Sequence, residues 1–123
     1  MVKVTFINLS FAKGLDFKKG SFNSFGFTVD GHSLFSKKGE DIVCSAVSAL
    51  SLTTTLALKK LTSAEVESET RDGYLKTLIV KPGSESDSIR DIKVILNTFL
   101  IGIGEITNSY PGRLEITFKS EGE

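Results

Sequence analysis

The chain has 123 residues, of which 40% are hydrophobic and 24% charged, and this composition fits one globular domain spanning residues 1–123. Its 15 basic residues balance 15 acidic ones, which argues against direct nucleic-acid binding and against a membrane-surface protein, since both are normally basic. Because the chain has one cysteine, an internal disulfide and a cysteine-rich zinc site are excluded. No apolar run approaches the roughly 20 residues of a membrane span. We therefore expect a cytoplasmic protein.

Five runs of alternating apolar and polar residues predict β-strands, because alternate side chains of a strand point to the same face. The Asp72-Gly73 turn signal joins the third and fourth runs into a hairpin. Residues 10–24 show no sustained period and predict a long loop or an extended hairpin arm. The five runs are residues 1–9, 25–30, 65–70, 74–80 and 114–119.

Two stretches have the 3- or 4-residue spacing of an α-helix. The first opens at Glu40 or Asp41 and runs to about Leu61, and its apolar content predicts that most of it is buried. The second follows a cap at Ser84 or Ser86 and ends before Pro111-Gly112. The apolar residues of the first helix are Ile42, Val43, Ala46, Val47, Ala49, Leu50, Leu56, Ala57 and Leu61, and those of the second are Ile89, Ile92, Leu96, Phe99, Ile103 and Ile106.

The element order is strand, strand, helix, strand, strand, helix, strand. Each amphipathic helix must bury its apolar face, and a sheet supplies the surface for that. We therefore predict an α+β fold in which two helices pack on a mixed sheet.

A polar stripe crosses the first predicted helix and contains the lone cysteine. Asp41, Cys44, Ser48, Ser51 and Thr55 follow one another at spacings of 3 or 4 and share one side of the helix. Cys44 falls in the first turn of the predicted helix, where free N–H groups and the helix dipole would stabilise a thiolate. Cys44 is therefore a candidate nucleophile, and those N–H groups are candidate oxyanion donors.

His32, the only histidine, ends the second predicted strand and could reach Cys44 as its general base. Gly31 would let the backbone turn sharply just before it. Simpler interpretations stand beside these: Cys44 as a packing residue, His32 as a surface residue, Asp41 as a helix N-cap and Ser48 as a helix-facing hydroxyl.

One motif makes the catalytic interpretation more specific. The pair Gly31-His32 is followed, after eleven intervening residues, by Cys44. Cys44 itself lies within the segment Gly-Glu-Asp-Ile-Val-Cys-Ser-Ala-Val-Ser-Ala-Leu at residues 39–50. This resembles the ribosomal-processing cysteine protease family of bacteria, whose pattern is Gly-His-Ala and then, at the same separation, Gly-x-Asp-Ile-Val-Cys-Ala-Ala-Val-Ser-Ala-Leu. Ser33 and Ser45 replace family alanines, and residues 10–24 form a longer connection than is usual in the family.

The resemblance implies that His32 and Cys44 are the catalytic pair and that Gly31, Asp41 and Ser48 support it. It implies a cysteine endopeptidase that removes a short N-terminal extension from a protein of the large ribosomal subunit, cutting after an apolar, aromatic run. It also implies a cytoplasmic homodimer without metal or cofactor.

The sequence is also compatible with two other functions. In the first, the chain is a non-catalytic, ribosome-associated interaction module in which Cys44 only packs. In the second, it is a thiol peroxidase or redox sensor, which the lack of a second cysteine disfavours because no resolving partner exists in the chain.

Overall fold

The computed structural model describes residues 1–11, 13–17, 24–31, 38–84 and 86–121, and for residues 38–41 the backbone only. Seven strands and two helices lie within these ranges, and they follow the predicted order with one short hairpin added. The elements are β1 (Val2–Ile7), β2 (Ser10–Phe11), β3 (Leu15–Asp16), β4 (Phe25–Asp30), α1 (Lys38–Leu61), β5 (Glu65–Arg71), β6 (Tyr74–Lys81), α2 (Ser86–Ser109) and β7 (Leu114–Lys119).

Five strands form one mixed sheet in the order β5-β6-β4-β1-β7. β1 pairs with β7 in parallel. The other three pairings, β1 with β4, β4 with β6 and β5 with β6, are antiparallel. The predicted α+β fold with two helices on a mixed sheet is confirmed. Since β4 is central and antiparallel to β1, the C-terminal end of β4 lies beside the start of β1, where Asp30 pairs with Lys3.

The predicted stripe of α2 lies against the sheet. Ile92, Leu96, Phe99 and Ile103 are buried, and the ring of Phe99 packs on Phe6 of β1. Burial of side chains of this size contributes about 1.5–3 kcal/mol each, so this stripe fixes α2 on the sheet.

The two helices approach each other closely at Gly102. A Cβ at Gly102 would lie 2.9 Å from Cδ1 of Leu50, whereas one at Gly104 would have no heavy atom within 4 Å. Gly102 therefore permits the close packing of α2 on α1 inside the core.

α1 buries only part of the predicted apolar face: Val43 and Val47 are fully buried, but other predicted residues are exposed. Ile42 and Leu56 are about half exposed and Leu61 is 68% exposed, while the hydroxyl residues Ser51 and Thr55 are buried. The expectation that most of this helix is buried is therefore wrong. The reason is that a hydroxyl can be buried in a helix when it bonds to the carbonyl one turn earlier, as Ser51 Oγ does with Val47 O at 2.6 Å.

The expectation that no apolar run approaches the length of a membrane span is also wrong, because α1 contains one. Ile42–Leu61 is a 20-residue segment with a mean hydropathy of 1.5, long and apolar enough to cross a bilayer by length and composition alone. In this fold Val43, Val47 and Leu58 of that segment are fully buried in the core, as in a core helix of a sheet protein.

Residues 10–17 form part of the predicted arm, and β2 and β3 pair there as a short hairpin. Asn97 of α2 holds this hairpin: its Oδ1 accepts from Leu15 N at 2.7 Å and its Nδ2 donates to Leu15 O at 3.0 Å. The Lys93 ammonium, 2.9 Å from Asp16 Oδ1, lowers the pKa of the Asp16 carboxyl below its ordinary value. The β2–β3 hairpin is thus fixed to α2.

Candidate active site

Cys44 lies in the N-terminal part of α1 and is half-buried. Its side chain packs against the buried core cluster, and its thiol is free of any disulfide. Packing and partial exposure therefore coexist at Cys44, and an exposed fraction is what a nucleophile needs. His32 lies outside the described residues, so its predicted pairing with Cys44 stays a prediction.

The position of Cys44 within the helix differs from the prediction. α1 begins at Lys38, two residues before Glu40, which makes Cys44 its seventh residue. With 3.6 residues per turn, Cys44 lies in the second turn, and the prediction of a first-turn position is wrong. Gly39 explains the error, because glycine costs about 1 kcal/mol in a helix and disfavours a start before it.

The second-turn position weakens one source of thiolate stabilisation. The helix-dipole effect falls off within the first turn, and the free N–H groups there lie roughly 6–9 Å along the axis from Cys44. Activation of the thiol therefore depends more heavily on a nearby base than the sequence suggested.

Asp41 is the fourth residue of α1 and lies inside the helix, so it is not the N-cap. The interpretation of Asp41 as a cap is therefore wrong. It lies three residues before Cys44, a spacing that puts both on one side of the helix. The supporting role implied for Asp41 stays a prediction.

Gly31 has a structural reason to be glycine. Its φ is +94°, and a Cβ there would lie only 2.5 Å from the Met1 carbonyl oxygen. Its N–H donates to Gly73 O at 3.1 Å, which ties the end of β4 to the β5–β6 turn. Gly31 therefore fixes where the chain leaves the sheet, one residue before His32.

The polar stripe of α1 divides into two parts. Ser51 and Thr55 are buried against the sheet, and Thr55 Oγ1 shares a 2.7 Å hydrogen bond with Thr77 Oγ1 of β6. Cys44 and Ser48 are half-buried. The C-terminal part of the stripe thus attaches α1 to β6, and Ser48 and Ser51 line a surface cavity between the helix and the sheet.

That cavity is the feature that sequence reasoning missed. It is small, with a cavity volume of about 50 Å³, and lies between α1 and the ends of β4, β5 and β6; we call it the α1–β6 cavity. Four of its seven residues come from strands, and only the tertiary fold brings them beside α1. Its floor is Val29, Ser51 and Leu75, and its rim is Ser48, Leu52, Thr70 and Tyr74.

Comparison with known proteins gives one family and several similar structures. Residues 14–115 match the family model described as cysteine protease Prp. No curated protein sequence matches the chain.

Two of the similar structures are from different bacteria. The ribosomal processing protease Prp from S. aureus, solved with a substrate peptide, is 21% identical with a TM-score of 0.70, and the match covers 97% of this chain and 100% of that one. SMU.848 from Streptococcus mutans is 24% identical with a TM-score of 0.66, covering 98% of this chain and 96% of that one. The S. aureus protease has also been solved with a covalently linked product peptide, at 21% identity and a TM-score of 0.68, covering 97% and 100% of the two chains. These similarities establish the shared fold.

Proposed function

The chain belongs to the cysteine protease Prp family, and from this premise we propose that it is the endopeptidase that removes an N-terminal extension from a large-subunit ribosomal protein. Family membership makes it a cysteine protease, and the family match, residues 14–115, spans β4, β5, β6, both helices and Cys44. The observation that carries the proposal is the free, half-buried thiol of Cys44, the chain's only cysteine, near the N-terminal end of α1.

The proposed catalytic pair is Cys44 and His32. His32 takes the thiol proton, and the Cys44 sulfur then attacks the scissile carbonyl carbon. The protonated imidazole gives its proton to the leaving amine as the C–N bond breaks, and a thioester remains on Cys44. Water, deprotonated by His32, hydrolyses the thioester and restores the thiol. Support for the pairing comes from Gly31, which directs the chain out of β4 one residue before His32.

The ribosomal substrate is proposed on two grounds. The sequence motif around Cys44 resembles the ribosomal-processing family, and the S. aureus protein of the same fold is described as a ribosomal processing protease. A ribosomal substrate is made in the cytoplasm, and this is where we propose that the enzyme acts.

We also propose that the protein is a homodimer. Both helices expose apolar side chains on the side away from the sheet, and we call this set the outer helix face. In α2, Val94 is 58% exposed and Ile101 is 68% exposed. A stripe of exposed, large apolar residues is unusual on the surface of a monomer. The outer helix face consists of Ile42, Ala49, Leu56, Val94 and Ile101.

The experiment is to incubate the protein with a large-subunit ribosomal protein precursor and to read the products by mass spectrometry. We expect the wild-type protein to cut one peptide bond in the extension, and Cys44→Ala and Cys44→Ser to give no product while remaining folded. A serine hydroxyl has a far higher pKa than a thiol, so His32 does not compensate. An intact precursor with the wild-type protein, or equal cleavage by Cys44→Ala, would refute the proposal.

A further inference from the structure

β5 is an edge strand of the five-stranded sheet, and most of its side chains are open to solvent. It stands at the end of the strand order, and among the described residues β6 is its only strand partner. Six of its seven residues are exposed, and the seventh, Val66, is half-buried against the core. In an edge strand, the N–H and C=O groups of every second residue point away from the partner and remain available to another chain.

The side chains of β5 form two rows, because alternate residues of a strand point to opposite faces. Ser68 belongs to the row that faces the helices, since Lys59 Nζ of α1 donates to Ser68 Oγ at 2.7 Å. Glu67 and Glu69 therefore lie on the face of β5 that is turned away from α1, and both are exposed.

The charges on this face favour a basic partner strand. Glu69 already has cations nearby, because it lies opposite Lys76 and its Oε1 is 4.0 Å from Arg71 Nε. Glu67 lies opposite Leu78 and has no cation across from it in β6. A second copy of β5 would bring glutamates together, which destabilises a strand pair, whereas a lysine or arginine opposite Glu67 would form a favourable cross-strand pair.

Charged side chains on an edge strand also protect it from aggregation, often together with a proline, a bulge or a short length. β5 has seven residues without proline or glycine, and its one irregularity is at its start, between Glu65 and Val66. Residues 66–71 are thus regular enough to pair with another strand. The glutamates exclude an identical strand from this edge but attract a basic one.

We propose that the edge of β5 binds an extended, basic segment of the substrate protein as an added strand, with a lysine or arginine at every second residue against Glu67 and Glu69. The inference rests on the proposed endopeptidase function for the identity of its partner, because proteins that contact RNA neutralise its phosphates with lysine and arginine. The remaining side chains of the segment would face α1, where Lys59 disfavours further cations. The segment therefore alternates basic and uncharged residues.

The binding test uses the full-length Cys44→Ala protein and two synthetic peptides of identical composition. One peptide alternates lysine with threonine, and the other gathers its lysines at one end. Calorimetry should give a Kd about fivefold or more lower for the alternating peptide, because only its lysines recur on one face of a strand. Amide hydrogen exchange in residues 66–71 should slow with the alternating peptide only. Equal Kd values for the two peptides, or unchanged exchange in β5, would overturn the proposal.

Glu67→Lys, made in the same Cys44→Ala protein, is the diagnostic variant, and Glu115→Lys is its matched control. Glu115 is an exposed glutamate of β7, the opposite edge strand, so the two variants change the net charge equally. Glu67→Lys should raise the Kd of the alternating peptide about fivefold or more, because it replaces a cross-strand attraction with a repulsion. Glu115→Lys should leave this Kd unchanged. An equal effect of both variants would show attraction by net charge alone and would rule out β5 as the site.

Cleavage of the ribosomal protein precursor distinguishes failure of this proposal from failure of the protease function. With Cys44 intact, Glu67→Lys should raise KM about fivefold or more and leave kcat unchanged, because β5 would bind the precursor away from the scissile bond. An unchanged KM with normal cleavage would refute the β5 site and leave the protease function standing. Binding of the alternating peptide at β5, with a precursor that stays intact, would support the β5 site and refute the protease function.

Discussion

Thr55 of α1 and Thr77 of β6 share a buried 2.7 Å hydrogen bond between their hydroxyl oxygens. Thr55 Oγ1 donates to Ser51 O at 2.9 Å, so its single hydrogen is used and Thr77 must be the donor to Thr55. This bond fixes α1 on the sheet about two turns beyond Ser48, and so it helps to set the width of the α1–β6 cavity.

Replacement of either threonine by valine should destabilise the protein unequally. Thr55→Val leaves the Thr77 hydroxyl without its acceptor and should lower the free energy of unfolding by about 1–3 kcal/mol. Thr77→Val removes only the donor to Thr55 Oγ1, and the Thr55 hydroxyl keeps its own hydrogen bond to Ser51 O. The loss in the free energy of unfolding should therefore be smaller. Urea denaturation measures both, and Thr98→Val, at an exposed hydroxyl, is the control, with an expected change within about 0.5 kcal/mol. A larger loss in Thr77→Val than in Thr55→Val would contradict this assignment of donor and acceptor.

Gly31→Ala should damage both stability and activity. Alanine at a φ of +94° is strained, and its Cβ would also press on the Met1 carbonyl oxygen. We expect a loss of about 1–3 kcal/mol in the free energy of unfolding and a fall in kcat/KM, because His32 follows directly.

Gly112→Ala is the control for Gly31→Ala. Gly112 has a φ of +79° but nothing within 4 Å of an added Cβ, so it has the strain without the contact. It should cost about 1 kcal/mol and leave turnover unchanged. Equal effects of the two substitutions on kcat/KM would contradict a specific role for Gly31 in placing His32.

Substitutions of Asp41 should lower activity and not stability, as expected for an active-site charge and not for a helix cap. Because it lies inside α1, Asp41→Ala should not incur the roughly 0.5–2 kcal/mol that loss of a cap costs. Asp41→Asn should lower kcat/KM about tenfold or more with little change in melting temperature. Asp87→Asn, an exposed carboxylate in the first turn of α2, is the control and should keep full activity. Full turnover in Asp41→Asn would leave His32 and Cys44 as an unassisted dyad.

The homodimer is tested at the outer helix face. Light scattering at micromolar concentration should give twice the 13.3 kDa chain mass for the wild type. Ile101→Glu should shift the mass toward that of one chain, because a charge in an apolar interface is costly. Leu61→Glu is matched, since Leu61 and Ile101 are both 68% exposed and Leu61 lies outside this face. A wild-type mass near 13.3 kDa, or a dimer unaffected by Ile101→Glu, would contradict the proposed interface.

The sequence predicted the elements well where a periodic pattern dominates. The stripe from Ile92 to Ile103 identifies the buried side of α2 because its apolar residues recur without interruption at spacings of 3 or 4. α1 is apolar on several sides, so periodicity could not show that Ser51 is buried while Ile42 is exposed. Hydroxyl bonds to the preceding turn decided that question, and they are visible only in the structure.

The site was predicted in part for a similar reason. Cys44 and Ser48 are close in sequence and share a helix side, so their spacing alone relates them. Thr70 and Tyr74 reach the cavity that Ser48 lines only through the pairing of β5 with β6 and of β6 with β4. Strand order is set by packing between distant segments, and one sequence does not reveal it.

The central claim, that His32 activates the Cys44 thiol, is tested most directly by the rate of iodoacetamide alkylation as a function of pH. Because Cys44 is the only cysteine, every labelled molecule reports on it. We expect rapid labelling of the native protein at neutral pH and a rate about tenfold or more lower in His32→Ala, with equal rates for the two proteins when unfolded. Equal native rates in the wild type and His32→Ala, or a thiol that reacts only after unfolding, would contradict the catalytic pair.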